Sequence, residues 1–258
     1  MAIWLAVLGS GSGGNSTLIE GGGVRVLVDA GFSCRQLAQR LRLLGVEPGA
    51  IDALLITHEH GDHVGGAATF AAAFGAPIYC TRGTAAAAGF GDGTAVVRTI
   101  VADQPFDLGA LRVRPFAVPH DAAETVGYVL EAGGARAGYV TDLGHGPGVV
   151  RDVLRECNLL VVESNHDLDM LRLGPYPEHI KARVLGRHGH LDNDTAADIL
   201  GDVVGRTTRA VVLAHLSETN NSPGLALGAA RRRLDECGRR GTALHAAEQR
   251  HPSPWFEV

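Results

Sequence analysis

Short apolar runs punctuated by glycine turns fill the first third of the chain. Ile3–Leu8, Ser16–Glu20 and Arg25–Asp29 read as strands, and Gly21-Gly22-Gly23 joins the last two as a hairpin. Ser33 opens a helix that carries Leu37, Leu41 and Leu44 at helical spacing and stops near Gly45. A short strand, Ala53–Ile56, runs directly into Thr57-His58-Glu59-His60-Gly61-Asp62-His63, and an alanine-rich helix follows near Val64–Phe74, then a strand at Pro77–Tyr79. The middle is again strand-rich, with Leu111–Val118, Val126–Leu130 and Ala135–Val140, the last pair turned by Gly133-Gly134. A helix near Val149–Glu156 leads into strand Leu159–Val162. The final third predicts helices at Asp167–Leu173, Glu178–Gly186, Asp194–Val204 and Pro223–Gly238, with one apolar strand, Ala210–Ala214, ending at His215. Strands and helices in both halves, several hairpins and no linker or repeat predict an α/β two-sheet sandwich in one domain, residues 1–258.

Composition narrows the picture. The 258 residues are 45% hydrophobic and 20% charged, enough for a sizeable core and against disorder. Lys+Arg is 23 against 28 Asp+Glu, a formal net charge of -5, which excludes a wholly basic nucleic-acid coat but leaves local basic patches. Two such clusters occur: Arg172, Lys181, Arg183 and Arg187, and Arg231, Arg232 and Arg233 with Arg239 and Arg240, the second read as a solvated helix face. Cys34, Cys80, Cys157 and Cys237 lie far apart without a Cys-x-x-Cys, which excludes a thiolate zinc ribbon and suits a reducing, cytoplasmic compartment. The first residues lack a basic leader pattern and read as a buried strand, and no apolar run nears the ~20 residues of a membrane span. Twelve histidines are the main supply of metal ligands and general bases.

Two motifs compete for attention. Gly9-Ser10-Gly11-Ser12-Gly13-Gly14 matches Gly-x-Gly-x-x-Gly after a strand, with Asp29 near the position of a ribose-binding acid. Dinucleotide binding needs a helix after those glycines, whereas here the extended Asn15-Ser16-Thr17-Leu18-Ile19 follows. That leaves a flexible loop, or a loop whose backbone approaches a phosphate or metal site. The second motif is stronger. His58 and His60, two apart in an extended segment, point the same way. Asp62 and His63 fall at the start of a helix, so a strand end and a helix start deliver two pairs of ligands around one point. It is not His-Glu-x-x-His, because Asp62 stands where the second His belongs, and no Pro-Cys-x-x-Cys of a deaminase follows.

His58-x-His60-x-Asp62-His63 followed by Gly65-Gly66 resembles the metal signature of the metallo-β-lactamase fold superfamily. Asp29 in Val-Asp-Ala-Gly, His120 in Pro-His-Asp, Asp142 in Val-Thr-Asp-Leu-Gly and His215 in Leu-Ala-His-Leu-Ser stand in the expected order. The opening Gly-Ser-Gly-Ser-Gly-Gly-Asn-Ser, Glu163-Ser164-Asn165-His166-Asp167, Tyr176-Pro177, Gly189-His190-Leu191 and His215-Leu216-Ser217-x-x-Asn220-Asn221 are similar to the YycJ/WalJ-type branch, and the likeness covers essentially the whole chain. Gly61 departs from the Ser expected there, at a position that is not a ligand.

The resemblance implies an αββα four-layer sandwich, a double-stranded DNA 5′-to-3′ exonuclease activity and a centre of two divalent metals. It implies that His58, His60 and His120 bind one metal, Asp62, His63 and His215 the other, and that Asp142 bridges them. Imidazoles and carboxylates without a thiolate suit Zn²⁺, Mn²⁺ or Fe²⁺. Such a pair, about 3.5–4 Å apart, activates a shared water for in-line attack on phosphorus. Asp62 is the candidate to orient it. His190 and His188 are candidate proton donors to the leaving group, with ordinary surface or core histidines as the alternative. Asp29 reads as a carboxylate that orients ligands. Asn15, Asn165, Ser217, Asn220 and Asn221 contact substrate or brace loops, and Glu163 takes a structural hydrogen bond as its default. DNA is the expected partner. The alternatives are a small-ester hydrolase on the same metals (cyclic nucleotide, lactone or thioester) and a metal-binding regulatory protein with little turnover.

Overall fold

The computed structural model describes residues 2–91, 93 and 95–258. In chain order its first half contains β1 (Ile3–Gly9), β2 (Ser16–Gly21), β3 (Val24–Val28), α1 (Cys34–Leu43), β4 (Ala53–Leu55), α2 (Gly61–Val64), α3 (Ala67–Phe74), β5 (Ile78–Thr81), α4 (Arg82–Ala87) and β6 (Val97–Ile100). The second half contains β7 (Phe106–Leu108), β8 (Leu111–Ala117), β9 (Val126–Ala132), β10 (Ala135–Val140), α5 (Gly148–Leu154), β11 (Leu159–Glu163), α6 (Leu168–Leu173), α7 (Glu178–Val184), α8 (Asn193–Val203), β12 (Ala210–Ala214), α9 (Pro223–Glu236), β13 (Ala243–Ala246) and β14 (Phe256–Glu257). One sheet runs β14-β1-β2-β3-β4-β5-β6 and the other β13-β12-β11-β10-β9-β8-β7. Each joins an antiparallel hairpin set (β1-β2-β3, β8-β9-β10) to a parallel set (β3-β4-β5-β6, β10-β11-β12-β13).

The period-2 alternation of strand side chains sorts the apolar residues into three cores. Ile3, Leu5, Val161 and Val212 meet between the two sheets. Leu18, Leu27 and Leu54 face Leu37 and Leu41 of α1 and Phe70 of α3. Leu160, Val162, Val211 and Leu213 face Leu154 of α5, Ile199 of α8 and Leu234 of α9. The result is helix, sheet, sheet, helix: the expected αββα sandwich. Ser33 caps α1 through a capping box with Gln36, as its position before the leucine repeat predicted. Among the described residues, no helix is long and apolar enough to cross a membrane.

Two expectations need correction. The helix expected near Val64–Phe74 is two, α2 and α3, broken at Gly65-Gly66. A Cβ on Gly66 would lie 1.9 Å from the Phe32 carbonyl oxygen, so the chain must turn there without a side chain. The single strand expected late in the chain has company, because β13 extends the second sheet and β14 the first. Both are short strands with no fully apolar run, and β13 is mostly part-exposed, so neither carries a strong pattern.

The functional geometry begins where strands end. Asp29 after β3, Asp142 after β10 and His215 after β12 all take left-handed backbone angles, φ +62°, +56° and +56°. Non-glycine residues rarely adopt them, and where they do the surroundings hold them there. They cluster at the C-terminal ends of the strands, the usual place for a site in an open α/β sheet.

Candidate metal centre

The segment after β4 turns from extended chain into α2, and the turn aims its side chains inward. His58 Nε2 lies 3.0 Å from His60 Nδ1, and His120, after β8, brings Nε2 to 3.3 Å from the same atom. Beside them, His63 Nε2 lies 3.4 Å from Asp62 Oδ2, and His215 Nε2 lies 3.3 Å from that oxygen. Asp142 stands between the groups, with Oδ2 3.0 Å from His63 Nε2 and Oδ1 3.7 Å from His120 Nε2. The structure therefore brings all of His58, His60, Asp62, His63, His120, Asp142 and His215 to one place: His58, His60 and His120 form one group and Asp62, His63 and His215 another, while Asp142 groups with His58 and His63 and also with Glu163, His190 and His215.

The outer nitrogen of each buried ring fixes its tautomer. His63 Nδ1 is 2.8 Å from Asp29 Oδ2, so it donates there. His215 Nδ1 donates to Glu163 Oε1 at 2.9 Å, and His120 Nδ1 to the Gly189 carbonyl at 3.2 Å. The Thr57 hydroxyl donates to Asp29, so it accepts from His58 Nδ1 at 3.0 Å. When neutral, every one of these rings turns an Nε2 lone pair toward the centre. Lone pairs facing lone pairs at about 3 Å repel, unless a cation lies among them. Asp142 Oδ2 makes the same point: it is buried and accepts no hydrogen bond from any described residue, although His63 Nε2 is 3.0 Å away. Nitrogens about 2.0–2.1 Å from a tetrahedral Zn²⁺ stand roughly 3.3 Å from one another, close to the spacings observed. The donor set fits divalent metal.

The electrostatics agree. Burial penalises the Asp142 carboxylate, but His215 and His63 outweigh it and hold the group well below its usual range. Burial likewise opposes charge on His215, and Asp142, Asp62 and Glu163 overcome it, lifting the ring to about 10. His58 moves the other way, pushed down by burial and by His63. The pocket thus draws positive charge toward Asp142 while keeping His58 neutral for ligation.

Glu163, fully buried at the end of β11, is the hub of the second cluster. Oε1 accepts from His215 Nδ1, from His190 Nδ1 at 2.9 Å and from the Asp142 backbone N–H at 3.3 Å; Oε2 accepts from the N–H groups of Leu143 and Leu191. Despite burial, the two imidazoles hold its carboxyl down at about 2. Its default reading as a structural hydrogen-bonder understated it. The available signal was a carboxylate closing an otherwise apolar buried strand, where an unpaired charge is too costly to stand alone.

The glycine loop approaches the site through side chains. The His215 N–H donates to Ser10 Oγ at 2.7 Å, Ser10 Oγ donates to Asn15 Oδ1 at 2.8 Å, and Asn15 Nδ2 lies 3.2 Å from Asp62 Oδ2 and 3.1 Å from His63 Nε2. This ties both sheets' contributions to one loop. The closest backbone approach occurs at Gly31, where a Cβ would lie 1.7 Å from the Asp62 carbonyl oxygen. Gly61 has open space around it, which accommodates the departure from Ser.

A cleft of about 370 Å³ opens over the centre, lined by Ser12, Asp62, Asn165, Tyr176, Arg183 and His190 among others. His190 thus reaches the cleft with Nδ1 on Glu163 and Nε2 without a hydrogen-bond partner among the described residues; Glu163 raises its proton affinity against the effect of burial. Asn165 donates to the His215 carbonyl and Ser217 lines the cleft, accepting from the Asn220 N–H. Asn221 does not reach it: its amide pairs reciprocally with Asn193 and braces the Ser164 carbonyl. His188 is not brought into the site either. Its side chain is exposed, and only its carbonyl is engaged, by the Asp121 N–H.

Comparison with known proteins adds the following. A beta-lactamase superfamily domain matches residues 24–216. The chain is 33% identical to Exodeoxyribonuclease YycJ of Bacillus anthracis over 246 residues, covering 92% of this chain and 91% of that protein. It is 31% identical to Exodeoxyribonuclease WalJ of Streptococcus pneumoniae over 229 residues, 86% of this chain and 84% of that one. Its fold matches the crystal structure of the metallo-β-lactamase fold protein YhfI from Bacillus subtilis with a TM-score of 0.76 at 17% identity, covering 100% of both chains.

Proposed function

The chain belongs to the beta-lactamase superfamily, and from that premise we propose that it is a metal-dependent hydrolase of phosphodiester bonds, a 5′-to-3′ DNA exonuclease, acting as one domain over residues 1–258 in the cytoplasm. The observation that carries the reading is the convergence of overlapping imidazole and carboxylate groups around Asp142 beneath one polar cleft. Near full-length similarity to two exodeoxyribonucleases supports the substrate class.

We assign His58, His60 and His120 to one divalent ion and Asp62, His63 and His215 to a second, with Asp142 shared. Zn²⁺ and Mn²⁺ suit this donor set, and Fe²⁺ also fits it. Ions held there supply Lewis acidity and lower the pKa of water. The protein does the rest. Asp29, Glu163, Thr57 and the Gly189 carbonyl lock the ring tautomers. Asp62 offers a carboxylate edge toward the centre to orient the attacking water. His190, braced on Glu163, presents Nε2 to the cleft and holds a proton for the leaving alkoxide. Asn15 positions Asp62, and Asn165 and Ser217 shape the floor near His215. The cleft lining is mainly polar, where a small lactone or thioester is better served by an apolar pocket.

The test is a hydrolysis panel with added Mn²⁺ or Zn²⁺, covering 5′-labelled duplex DNA, bis-p-nitrophenyl phosphate, a β-lactam and a lactone. Phosphodiester cleavage releasing nucleotides from the 5′ end is expected. Turnover of the lactone or lactam with no phosphodiester cleavage would overturn the proposal.

A further inference from the structure

The net charge of -5 is unfavourable for a polyanion, so the position of each free cation over the cleft matters. Three basic residues of the α9 region are occupied within the fold. Arg231 donates to the carbonyls of Arg240 and Thr242, Arg233 sits beside Asp198 and Glu236, and Arg239 donates to the Val204 carbonyl. In the other cluster, Lys181 is turned inward as a strut: its ammonium donates to the Arg172 carbonyl at 2.8 Å and to Glu178 at 3.1 Å, with its side chain only 12% exposed. Arg183 is different. Among the described residues lining the cleft it is the one permanent cation.

Its attachment is also specific. Arg183 Nε donates to Asp121 Oδ2 at 2.6 Å, and the other oxygen of that carboxylate lies 3.3 Å from His120 Nε2. The Asp121 carboxylate therefore stands between the guanidinium and the metal centre, holding the fork at the rim, one carboxylate away from the reacting position. A guanidinium carries five N–H donors. Among the described residues no acceptor meets those on Nη1 and Nη2, and the side chain is 57% exposed. A planar fork anchored on one edge and open on the other is a phosphate-binding arrangement.

We propose that the open edge of Arg183 holds a second phosphate of the substrate, the one flanking the scissile phosphodiester. This rests on the phosphodiesterase reading above and deepens it: the site selects polynucleotides, which carry an anion at every residue, over esters with a single phosphate. Asp121 is the positioning residue that fixes the fork. α7 buries none of its side chains, so Arg183→Ala leaves the fold intact, with a melting temperature unchanged to within about 2 °C.

The experiment compares wild type, Arg183→Ala and Arg183→Lys in the metal-loaded protein on a 5′-labelled oligonucleotide duplex and on bis-p-nitrophenyl phosphate. Binding of a fluorescent phosphorothioate duplex is measured in parallel by anisotropy across salt concentrations. Arg183→Ala is expected to raise KM for the oligonucleotide and Kd for the phosphorothioate duplex by about ten- to a hundredfold. The log–log salt slope should fall by about 1. The loss in kcat/KM on bis-p-nitrophenyl phosphate, which has no second phosphate, should be at least tenfold smaller than on the oligonucleotide, and Arg183→Lys should recover part of the oligonucleotide loss. Equal loss on both substrates, or no loss on the duplex, overturns the assignment. If wild type cleaves neither substrate, the function itself fails, and the anisotropy alone decides whether Arg183 holds a phosphate.

Discussion

Glu163→Gln isolates the charge of one buried carboxylate while keeping its size. The wild-type oxygens receive donors only: the rings of His215 and His190 and the Asp142 N–H on Oε1, and the N–H groups of Leu143 and Leu191 on Oε2. A glutamine has one acceptor and one donor end. If its oxygen faces the rings, its amino group confronts two buried N–H groups. If it faces the backbone, its amino group confronts the rings, and both rings must give up the proton on Nδ1. His215 then carries its proton on Nε2, the atom that faces Asp62, and has no lone pair to offer the proposed metal. A buried donor left facing another donor costs about 1–3 kcal/mol, so the first orientation destabilises by roughly 3 kcal/mol. For a chain of this size that corresponds to a fall in Tm of about 6–12 °C. The second orientation leaves the Asp142 N–H facing a donor, a cost of about 1–3 kcal/mol, and weakens metal binding by about 10–100-fold. The assay pairs a chelator-competition titration with thermal melts in metal and in EDTA. One of the two losses must appear. A variant that melts within 2 °C of wild type and binds metal within threefold of it refutes the hub assignment.

Further outcomes follow from the same geometry. Gly31→Ala should destabilise by about 1–3 kcal/mol or more, because its Cβ meets the Asp62 carbonyl at 1.7 Å, whereas Gly61→Ser should be neutral in melts and activity. His58→Ala should cost more than about 10³-fold in phosphodiester hydrolysis, since it removes one of the proposed metal ligands, and should retain a folded circular dichroism spectrum. Chelation should lower the Tm of wild type, by the equivalent of about 4 kcal/mol when metal stands a thousandfold above its Kd, and should shift His58→Ala much less. Burial pushes the thiols of Cys80 and Cys157 up to about 11 and about 12, so in the native protein at pH 8 a disulfide reagent should reach Cys34 and Cys237 only, and all four once unfolded. Because those folded thiol values lie above the unfolded one, this stability is complete below pH 9 and is lost as pH rises beyond it.

Some of this molecule is plain in its residues and some is not, and the division is physical. β11 and β12 are fully buried on both faces, so Leu159–Val162 and Ala210–Ala214 appear as unbroken apolar runs. Ser33 and Gln36 announce the start of α1 because a capping box is a local interaction. β6, β13 and β14 owe their place to pairing with distant strands, and their own patterns are too short and too exposed to show it. The break between α2 and α3 depends on Phe32, far away in the chain, whose carbonyl leaves no room for a Cβ at Gly66.

The site divides along the same line. His58, His60, Asp62 and His63 fall within one turn-forming segment, so their convergence follows from strand and helix geometry alone. Their partners come from the other sheet: His120 completes the first cluster, His215 the second, and Asp142 joins them. In sequence each of those is a single polar residue after an apolar strand, and Asn165 and Asn221 look no different from Glu163. What separates them is what lies opposite once the sheets pack. Glu163 meets two imidazoles, Asn165 a carbonyl, and Asn221 another amide well back from the cleft. The glycine-rich motif misleads for a related reason. Its glycines suggest backbone contact with a ligand, yet the loop acts through Ser10 and Asn15, which bind His215 of one sheet and Asp62 of the other. Asp142, Glu163, His190 and His215 all come from the second sheet's side, but every group that includes His58, His60, Asp62 or His63 and a residue of the second sheet forms only when the two are docked, and the Ser10–Asn15 loop, which joins β1 to β2 within the first sheet, reaches across that joint through the hydrogen bond from the His215 N–H.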